Sequence, residues 1–229
     1  VSDFAEEPWQ RIMLAGCSIE LIHAASLILD DLPAMDNANT RRGIPSTHVR
    51  YGEATAILAA MALTSLAFDL LTRADDFHAE AQRLAIRELA EAIGTQGLIG
   101  GQYEDLESKE KPSTLAQIES IHSDKAAALF RAAVRVPATL FRLKDEEVHD
   151  LTLFAHKIGL AFQICDDISD IVEDSHPTNC RSHVLHLGLD GFRARAKDLI
   201  EDGIAVLARY GRRADTLRAF AEYVKKSSH

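Results

Sequence analysis

Residues 20–43 read ELIHAASLILDDLPAMDNANTRRG, an apolar run that ends in a cluster of acids and is followed by two arginines. The apolar run is typical of a helix, and Pro33 predicts its end. Asp30, Asp31 and Asp36 would then lie together. Carboxylates crowded at the end of a buried helix repel one another unless a cation compensates them. Mg²⁺ suits that role because it prefers carboxylate and phosphate oxygens.

A second acidic cluster follows another apolar run, in residues 159–174, GLAFQICDDISDIVED. Asp166 and Asp170 are four residues apart and share a helix face, whereas Asp167 lies about 100° around the helix. A solvated, charged helix end is the ordinary alternative for either cluster alone. Two clusters about 135 residues apart, each at the end of an apolar helix, instead favour two facing helices that bind one polyanion through shared cations.

These motifs resemble those of the trans (head-to-tail) isoprenyl diphosphate synthases, the polyprenyl synthetase family. DDLPAMD followed by RRG is similar to the first aspartate-rich motif of that family, and GLAFQICDDISD is similar to the second. The segments GLIGGQYEDL (97–106) and IHSDKAAALF (121–130) resemble the intervening helices. The resemblance runs from about Trp9 to the C-terminus. Within the family it is closest to the bacterial geranylgeranyl diphosphate synthases of carotenoid and diterpenoid pathways.

The resemblance implies a set of metal ligands and a Mg²⁺-dependent reaction. In the family, three Mg²⁺ ions bind together with diphosphate. The residues implied for two of the ions are Asp30, Asp31 and Asp36. Those implied for the third are Asp166, with help from Asp167 and Asp170.

The resemblance also implies which residues bind the substrates. Arg41 and Lys125 are expected at the allylic diphosphate, and Arg42 at isopentenyl diphosphate. Arginine suits phosphate because its planar fork meets two oxygens at once. Gln163 is expected near the allylic substrate. Gln102 and Asp105, which follow two glycines, either line the cavity or bond to neighbouring helices.

The implied reaction joins isopentenyl diphosphate to an allylic diphosphate without a covalent enzyme intermediate. Two small residues before the first motif, Ala25 and Ser26, lie about 6 to 7.5 Å deeper along the helix than Asp30. Family members that stop at fifteen carbons commonly carry an aromatic residue there. We therefore expect a C20 product, geranylgeranyl diphosphate. The alternatives are a farnesyl diphosphate synthase, a class I terpene cyclase and a regulatory subunit of a heteromeric synthase.

Composition predicts one all-α domain, a helical bundle, and the resemblance implies that the bundle surrounds a central apolar cavity. The 229 residues carry 47% hydrophobic residues and few prolines, and Ala/Leu/Glu-rich helical windows recur with no linker or repeat. The expected helices are 8–32, 50–73, 77–94, 96–109, 114–138, 145–173, 189–210 and 213–226. The net charge of −10 argues against a nucleic-acid or anionic-membrane partner.

Other features predict a cytoplasmic protein with no membrane span. The three cysteines have no paired spacing, which favours a reducing compartment. The longest apolar stretch, 54–68, is too short to cross a bilayer. The homodimer is implied by the resemblance alone.

The sequence also departs from the family at three places. It has no Gly-Lys-Arg segment before Trp9, Ala126 replaces the usual threonine after Lys125, and EDSHPTNCRSH stands where a Gly- and Lys-rich loop is expected. We therefore expect residues 1–229 to form a synthase domain that lacks N-terminal residues and part of the loop after Asp174. If nothing is missing, we expect poor turnover.

Overall fold

The computed structural model describes residues 1–74, 76–108, 115–173 and 181–226. Within these ranges, side chains are described except at 108, 115–124, 126, 169–173 and 181–187. The described part of the chain is almost entirely helical, as predicted. Its α-helices are α1 (Ser2–Ala5), α2 (Met13–Asp30), α3 (Thr47–Tyr51), α4 (Glu53–Thr72), α5 (Ala79–Ile93), α6 (Leu98–Ser108), α7 (Leu115–Leu140), α8 (Asp145–Glu173), α9 (Arg181–Val206) and α10 (Asp215–Lys226). Trp9–Ile12 and Ala208–Ala214 are 3₁₀ segments, and the strands are β1 (Thr40–Arg41) and β2 (Ile44–Pro45).

The core consists of two apolar clusters that share α7. One cluster lies among α7, α8, α9 and α10, and its largest fully buried side chains include Phe154, Ile158 and Phe192. The other lies among α2, α4, α5 and α7 and includes Leu71 and Leu89. Because α7 contributes to both clusters, the helices that carry the acidic motifs, α2 and α8, are both held against it.

Several expected element boundaries are wrong, for local reasons. The helix expected over 50–73 is two helices, since Gly52 has a φ of +87° between α3 and α4. The helix expected from residue 189 is preceded by helix from Arg181, and the two parts meet at a kink where Gly188 has a φ of +68°. The short β1–β2 hairpin and α1 were not expected. The gap expected between the helices 145–173 and 189–210 includes residues 174–180, which lie outside the described residues.

Two segments are long and apolar enough to cross a membrane, judged by length and composition alone. They are Trp9–Asp30 and α4, and only 22% of an apolar 18-residue window in each is buried inside the protein. α4 is therefore longer than the 54–68 stretch on which the sequence argument against a span was based. The two segments pack against each other, and the buried Ser18 hydroxyl donates a hydrogen bond to the Ala67 carbonyl.

Candidate active site

The loop after α2 folds back over the C-terminal end of that helix. The backbone N–H of Asp36 donates to the carbonyl of Asp30 at 2.9 Å, and that of Ala38 donates to Asp31 at 3.2 Å. Asn37 takes a φ of +52° within this loop, a conformation that asparagine tolerates. These bonds satisfy carbonyls that the helix end leaves open. They also bring the backbone of Asp36 close to that of Asp30.

The β1–β2 hairpin comes next and brings Arg41 back towards the helix end. Arg41 pairs with Ile44, and the two residues between them, Arg42 and Gly43, have φ of +52° and +77°. Positive φ at both central residues is typical of a type I′ turn. Ser46 fastens the base of the hairpin, because its hydroxyl donates to the Ala38 carbonyl at 2.6 Å.

Arg41 forms an ion pair with Asp31 inside this fold. Arg41 Nε and Nη2 both donate to Asp31 Oδ1, at 3.0 and 2.6 Å. The Asp31 side chain is 4% exposed and that of Arg41 is 38% exposed, so the carboxylate is buried and the guanidinium reaches the surface. The hydrogen bond to Asp31, with the charges of Asp30 and Asp36, raises the pKa of Arg41 above its usual value.

Asp30 lies where negative charges are concentrated. Burial, the largest effect, raises the pKa of Asp30 to about 6. Lys125 and Arg41 oppose this rise in pKa, whereas Asp36 and Asp105 add to it. The structure thus places Asp36, Arg41 and Lys125 within electrostatic range of Asp30, although they come from the loop after α2, from β1 and from α7.

Lys125 on α7 is held by a residue of α6. Its Nζ donates to Asp105 Oδ2 at 2.8 Å, and the two side chains are 22% and 29% exposed. Burial opposes the charge of Lys125, yet Asp105, Asp30 and Asp36 together raise its pKa above the usual value. Burial of this lysine is therefore compensated by carboxylates.

Gln102 lies one helical turn before Asp105 on α6. Its amide nitrogen and oxygen are both buried, and neither has a hydrogen-bond partner among the described residues. An unpaired buried amide costs roughly 1 to 3 kcal/mol per group. An amide left unpaired one turn from Asp105 suits a residue that binds a polar ligand.

The second motif presents one acid to solvent and keeps another inside. Asp166 is exposed by surface area, whereas Asp167 is 8% exposed and accepts a hydrogen bond from Gln163 Nε2 at 2.9 Å. The side chain of Asp170 lies outside the described residues. Burial raises the pKa of Asp166 even though its surface is accessible, as expected at the wall of a cleft, and the charge of Arg41 opposes that rise. Arg41 therefore acts on both acidic motifs.

The described residues fit an open metal site rather than a closed one. No three described histidines, cysteines, aspartates or glutamates form a cluster that could hold a metal by themselves. Mg²⁺ does not need such a cluster, since it is usually held by one or two carboxylates together with water and substrate phosphate. Asp30 and Asp166 carry carboxylate oxygens that could bind such an ion, and burial disfavours the ionised form of each. A divalent cation would relieve that cost.

The structure also positions the other residues that the sequence predicts for the site. Arg42 is exposed at the tip of the hairpin. Ala25 is buried, at 3% exposure, and the half-buried Ser26 donates its hydroxyl to the carbonyl of His23 at 2.9 Å. Gln163 bonds to Asp167.

The sequence did not predict which residue Asp105 contacts. The structure makes it the partner of Lys125, which lies 20 residues later. The available signal was its spacing of three residues from Gln102 in GGQYED, which puts both on one helix face. The spacing alone does not reveal which cation faces that side of α6.

Comparisons with known proteins identify relatives of this chain. The family model described as polyprenyl synthetase matches residues 2–181. The farnesyl diphosphate synthase of Haemophilus influenzae is 40% identical over 228 residues, covering 94% of this chain and 77% of that protein. The geranylgeranyl diphosphate synthase of Pantoea ananas is 42% identical over 160 residues, covering 70% of this chain and 53% of that protein.

Solved structures are similar over nearly the whole chain. A farnesyl/geranylfarnesyl (FPP/GFPP) synthase from Zymomonas mobilis, solved in its apo form, superimposes with a TM-score of 0.89 at 35% sequence identity. That match covers 98% of this chain and 80% of the other. A geranyltransferase from Legionella pneumophila gives a TM-score of 0.90 at 27% identity, covering 99% and 78%.

Proposed function

The chain belongs to the polyprenyl synthetase family, and on that premise we propose that it condenses isopentenyl diphosphate with an allylic diphosphate to give geranylgeranyl diphosphate. It is a metal-dependent head-to-tail prenyltransferase of isoprenoid biosynthesis. In the reaction the allylic C–O bond breaks and diphosphate leaves. A C–C bond forms to isopentenyl diphosphate, and a proton is lost from the new chain.

The position of Arg41 is the observation that carries the proposal. Arg41 donates a hydrogen bond to Asp31, and its charge also opposes the rise in the pKa of Asp166, so one cation lies near acids that are 135 residues apart in the sequence. A cation near both acidic motifs supports a site for a polyanion with bound metal. An arginine fork would meet two oxygens of the allylic diphosphate.

We assign the metal ligands to the two acidic motifs. Asp30, Asp31 and Asp36 would hold two Mg²⁺ ions, and Asp166, with Asp167 and Asp170, would hold a third; this number rests on the family resemblance. Bound Mg²⁺ supplies charge neutralisation for the leaving diphosphate. The raised pKa of Asp30 supports this assignment, because an ionised carboxylate there is stabilised by added positive charge.

The remaining polar residues would bind and orient the substrates. Lys125 would bind the allylic diphosphate beside Arg41, and Arg42 would bind isopentenyl diphosphate. The unpaired amide of Gln102 supports a role at the substrate. Gln163 would act through Asp167, whose carboxylate it holds. Apolar side chains around the site would exclude the water that quenches an allylic cation.

The C20 product is the finer part of the proposal. Its support is the small size of Ala25 and Ser26, one turn before Asp30. A farnesyl diphosphate synthase, with a C15 product, is the second candidate, because the relatives from Haemophilus influenzae and Escherichia coli carry that name.

Product analysis tests the function and the chain length together. The protein is incubated with Mg²⁺, isopentenyl diphosphate and each of the C5, C10 and C15 allylic diphosphates, and the products are hydrolysed and sized. We expect a C20 alcohol from all three starters, and a shorter product from Ala25→Phe or Ser26→Phe. A C15 limit would favour the second candidate, and a cyclised hydrocarbon would indicate a terpene cyclase. No turnover without an added partner would indicate a regulatory subunit.

We further propose that the protein is a cytoplasmic homodimer. The support for the homodimer is the outer face of α4, where Ile57, Leu58 and Met61 are 41%, 66% and 61% exposed. This face lies on the side opposite the alanines that pack towards α2. Large exposed apolar patches mark interfaces. A second copy of this chain would cover this outer face of α4. By length and composition alone, the same face could instead lie against a membrane.

Light scattering after size exclusion tests the dimer. We expect wild type to have twice the chain mass and Leu58→Glu/Met61→Glu to be monomeric. Tyr223→Glu, at a 68% exposed position on α10, serves as the control and should stay dimeric. A monomeric wild type that sediments with lipid vesicles would contradict the proposal.

A further inference from the structure

Asp105 and Lys125 form a tether between α6 and α7 that stands inside the proposed diphosphate site. The 2.8 Å bond joins residues 20 positions apart, and both side chains are partly accessible. A lysine ammonium has three donors and a flexible stem, so it can change or add acceptors at little cost. An anion that enters the site therefore meets a cation that already has a partner.

The surroundings of this pair are strongly acidic. Asp30 and Asp36 also act on Lys125, and Asp105 in turn raises the pKa of Asp30. A bare diphosphate would add negative charge next to these carboxylates and compete with Asp105 for Lys125. A diphosphate that arrives with divalent cations would instead bring the positive charge that the carboxylates require.

We propose that Asp105 is a positioning residue that makes the site selective for metal-complexed over bare diphosphate. This inference rests on the proposed function of the cleft. Asp105 holds the Lys125 ammonium and so keeps it from an uncomplexed anion. Once metal has neutralised Asp30 and Asp36, Lys125 donates to Asp105 and to the diphosphate together. Metal binding and diphosphate binding are then thermodynamically coupled, and the charge of Asp105 contributes to that coupling.

Calorimetry with inorganic pyrophosphate tests the coupling without turnover. Dissociation constants are measured with Mg²⁺ and with EDTA for wild type, Asp105→Asn and Glu104→Gln. Glu104 is the exposed neighbour on α6, so its substitution removes the same charge outside the pair. We expect the EDTA-to-Mg²⁺ ratio of dissociation constants to fall about five- to tenfold in Asp105→Asn, mainly through tighter metal-free binding. Glu104→Gln should leave the ratio unchanged.

A double-mutant cycle identifies the partner. In a Lys125→Met background, Asp105→Asn should lose most of its effect on the ratio, because the ammonium that it releases is absent. If Asp105 had a merely structural role, Asp105→Asn would raise both dissociation constants by the same factor and leave their ratio unchanged. That result would overturn this inference alone. A wild-type protein that binds no pyrophosphate with Mg²⁺ would overturn the proposed function as well.

Discussion

Arg41 donates from both Nε and Nη2 to a single carboxylate oxygen of Asp31, at 3.0 and 2.6 Å. This pair joins the hairpin to the C-terminal end of α2. Because the Asp31 side chain is only 4% exposed, it would be left as a buried charge without its arginine. Removing one partner of a buried pair costs more stability than the pair itself contributes.

We therefore expect Arg41→Gln to lower the free energy of unfolding of the metal-free protein. The loss should be about 2 kcal/mol, less than for a fully buried pair since Arg41 reaches the surface. Urea denaturation in EDTA measures it. Arg87→Gln, which breaks an exposed pair with Glu91, is the matched control and should change little. Equal losses in the two variants would mean that the buried pair contributes no more to stability than the exposed pair.

Asp30 should make the metal-free protein less stable as the pH rises. Its pKa is about 6 in the folded protein, against about 3.9 for an unperturbed aspartate. Between these values the unfolded chain loses the proton while the folded protein keeps it, so stability falls from about pH 4 to 6 and the penalty stays above 6. Asp30→Asn should therefore raise the melting temperature at pH 8 and have little effect at pH 4.

Thermal melts in EDTA across this pH range check that prediction. The exposed Asp198→Asn on α9 is the control and should show no such pH-dependent gain. The same Asp30→Asn protein should lose prenyl transfer in Mg²⁺. A variant that is destabilised at pH 8 would contradict the assigned burial of this carboxylate.

Arg42 occupies a backbone conformation that suits asparagine or glycine better. With a φ of +52° before Gly43, it stands at the first central position of the hairpin turn, where Asn-Gly is strongly preferred. Arg42→Asn should stabilise the protein by about 0.5 to 1 kcal/mol, because a left-handed backbone costs asparagine less. Its Michaelis constant for isopentenyl diphosphate should rise at least tenfold through loss of a phosphate contact.

Steady-state kinetics and urea melts on one preparation separate the two effects. Arg42→Lys keeps a positive charge at the same strained position, so it should show no gain in stability and a smaller rise in the Michaelis constant. A stabilised Arg42→Asn with unchanged kinetics would leave Arg42 outside the substrate site.

The helical part of the fold was predictable because its local signals agree. The apolar run before Asp30 and the following Pro33 predict where α2 ends, and the run from Gly159 predicts α8. The hairpin was missed because each strand has two residues, too few for an alternating pattern. Its sequence signal is Gly43 after two arginines, which appears as a turn only once the backbone geometry is known.

The site was predictable in its residue types and less so in its pairings. Acidic clusters at two helix ends indicate a shared cation from charge alone. The partners depend on side-chain direction across helices, which spacing in one helix cannot supply. Hence Asp105 facing Lys125 required the packing of α6 on α7, whereas the bond from Gln163 to Asp167 is an i,i+4 pair within α8 that spacing allows.

Gly159 sets how closely α7 and α8 approach beside the site. A Cβ added to Gly159 would lie 2.8 Å from the Cα and 3.1 Å from the Cβ of Ala127, which is fully buried. Ala127 is two residues after Lys125, and Gly159 is about 10 Å along α8 from Asp166. Gly159→Ala must therefore push the two helices apart and shift Lys125 relative to Asp166.

We expect Gly159→Ala to cost about 1 to 3 kcal/mol of stability through overpacking and to lower kcat more than this loss of folded protein explains. Gly16→Ala is the matched control, since nothing lies within 4 Å of the added Cβ in α2. That substitution should stabilise the protein by up to about 1 kcal/mol, because alanine is the better helix former. Urea melts measure the change in stability, and kcat is measured below each melting transition so that only folded protein is compared. A Gly159→Ala protein as stable and active as Gly16→Ala would mean that the α7–α8 contact yields without moving the site.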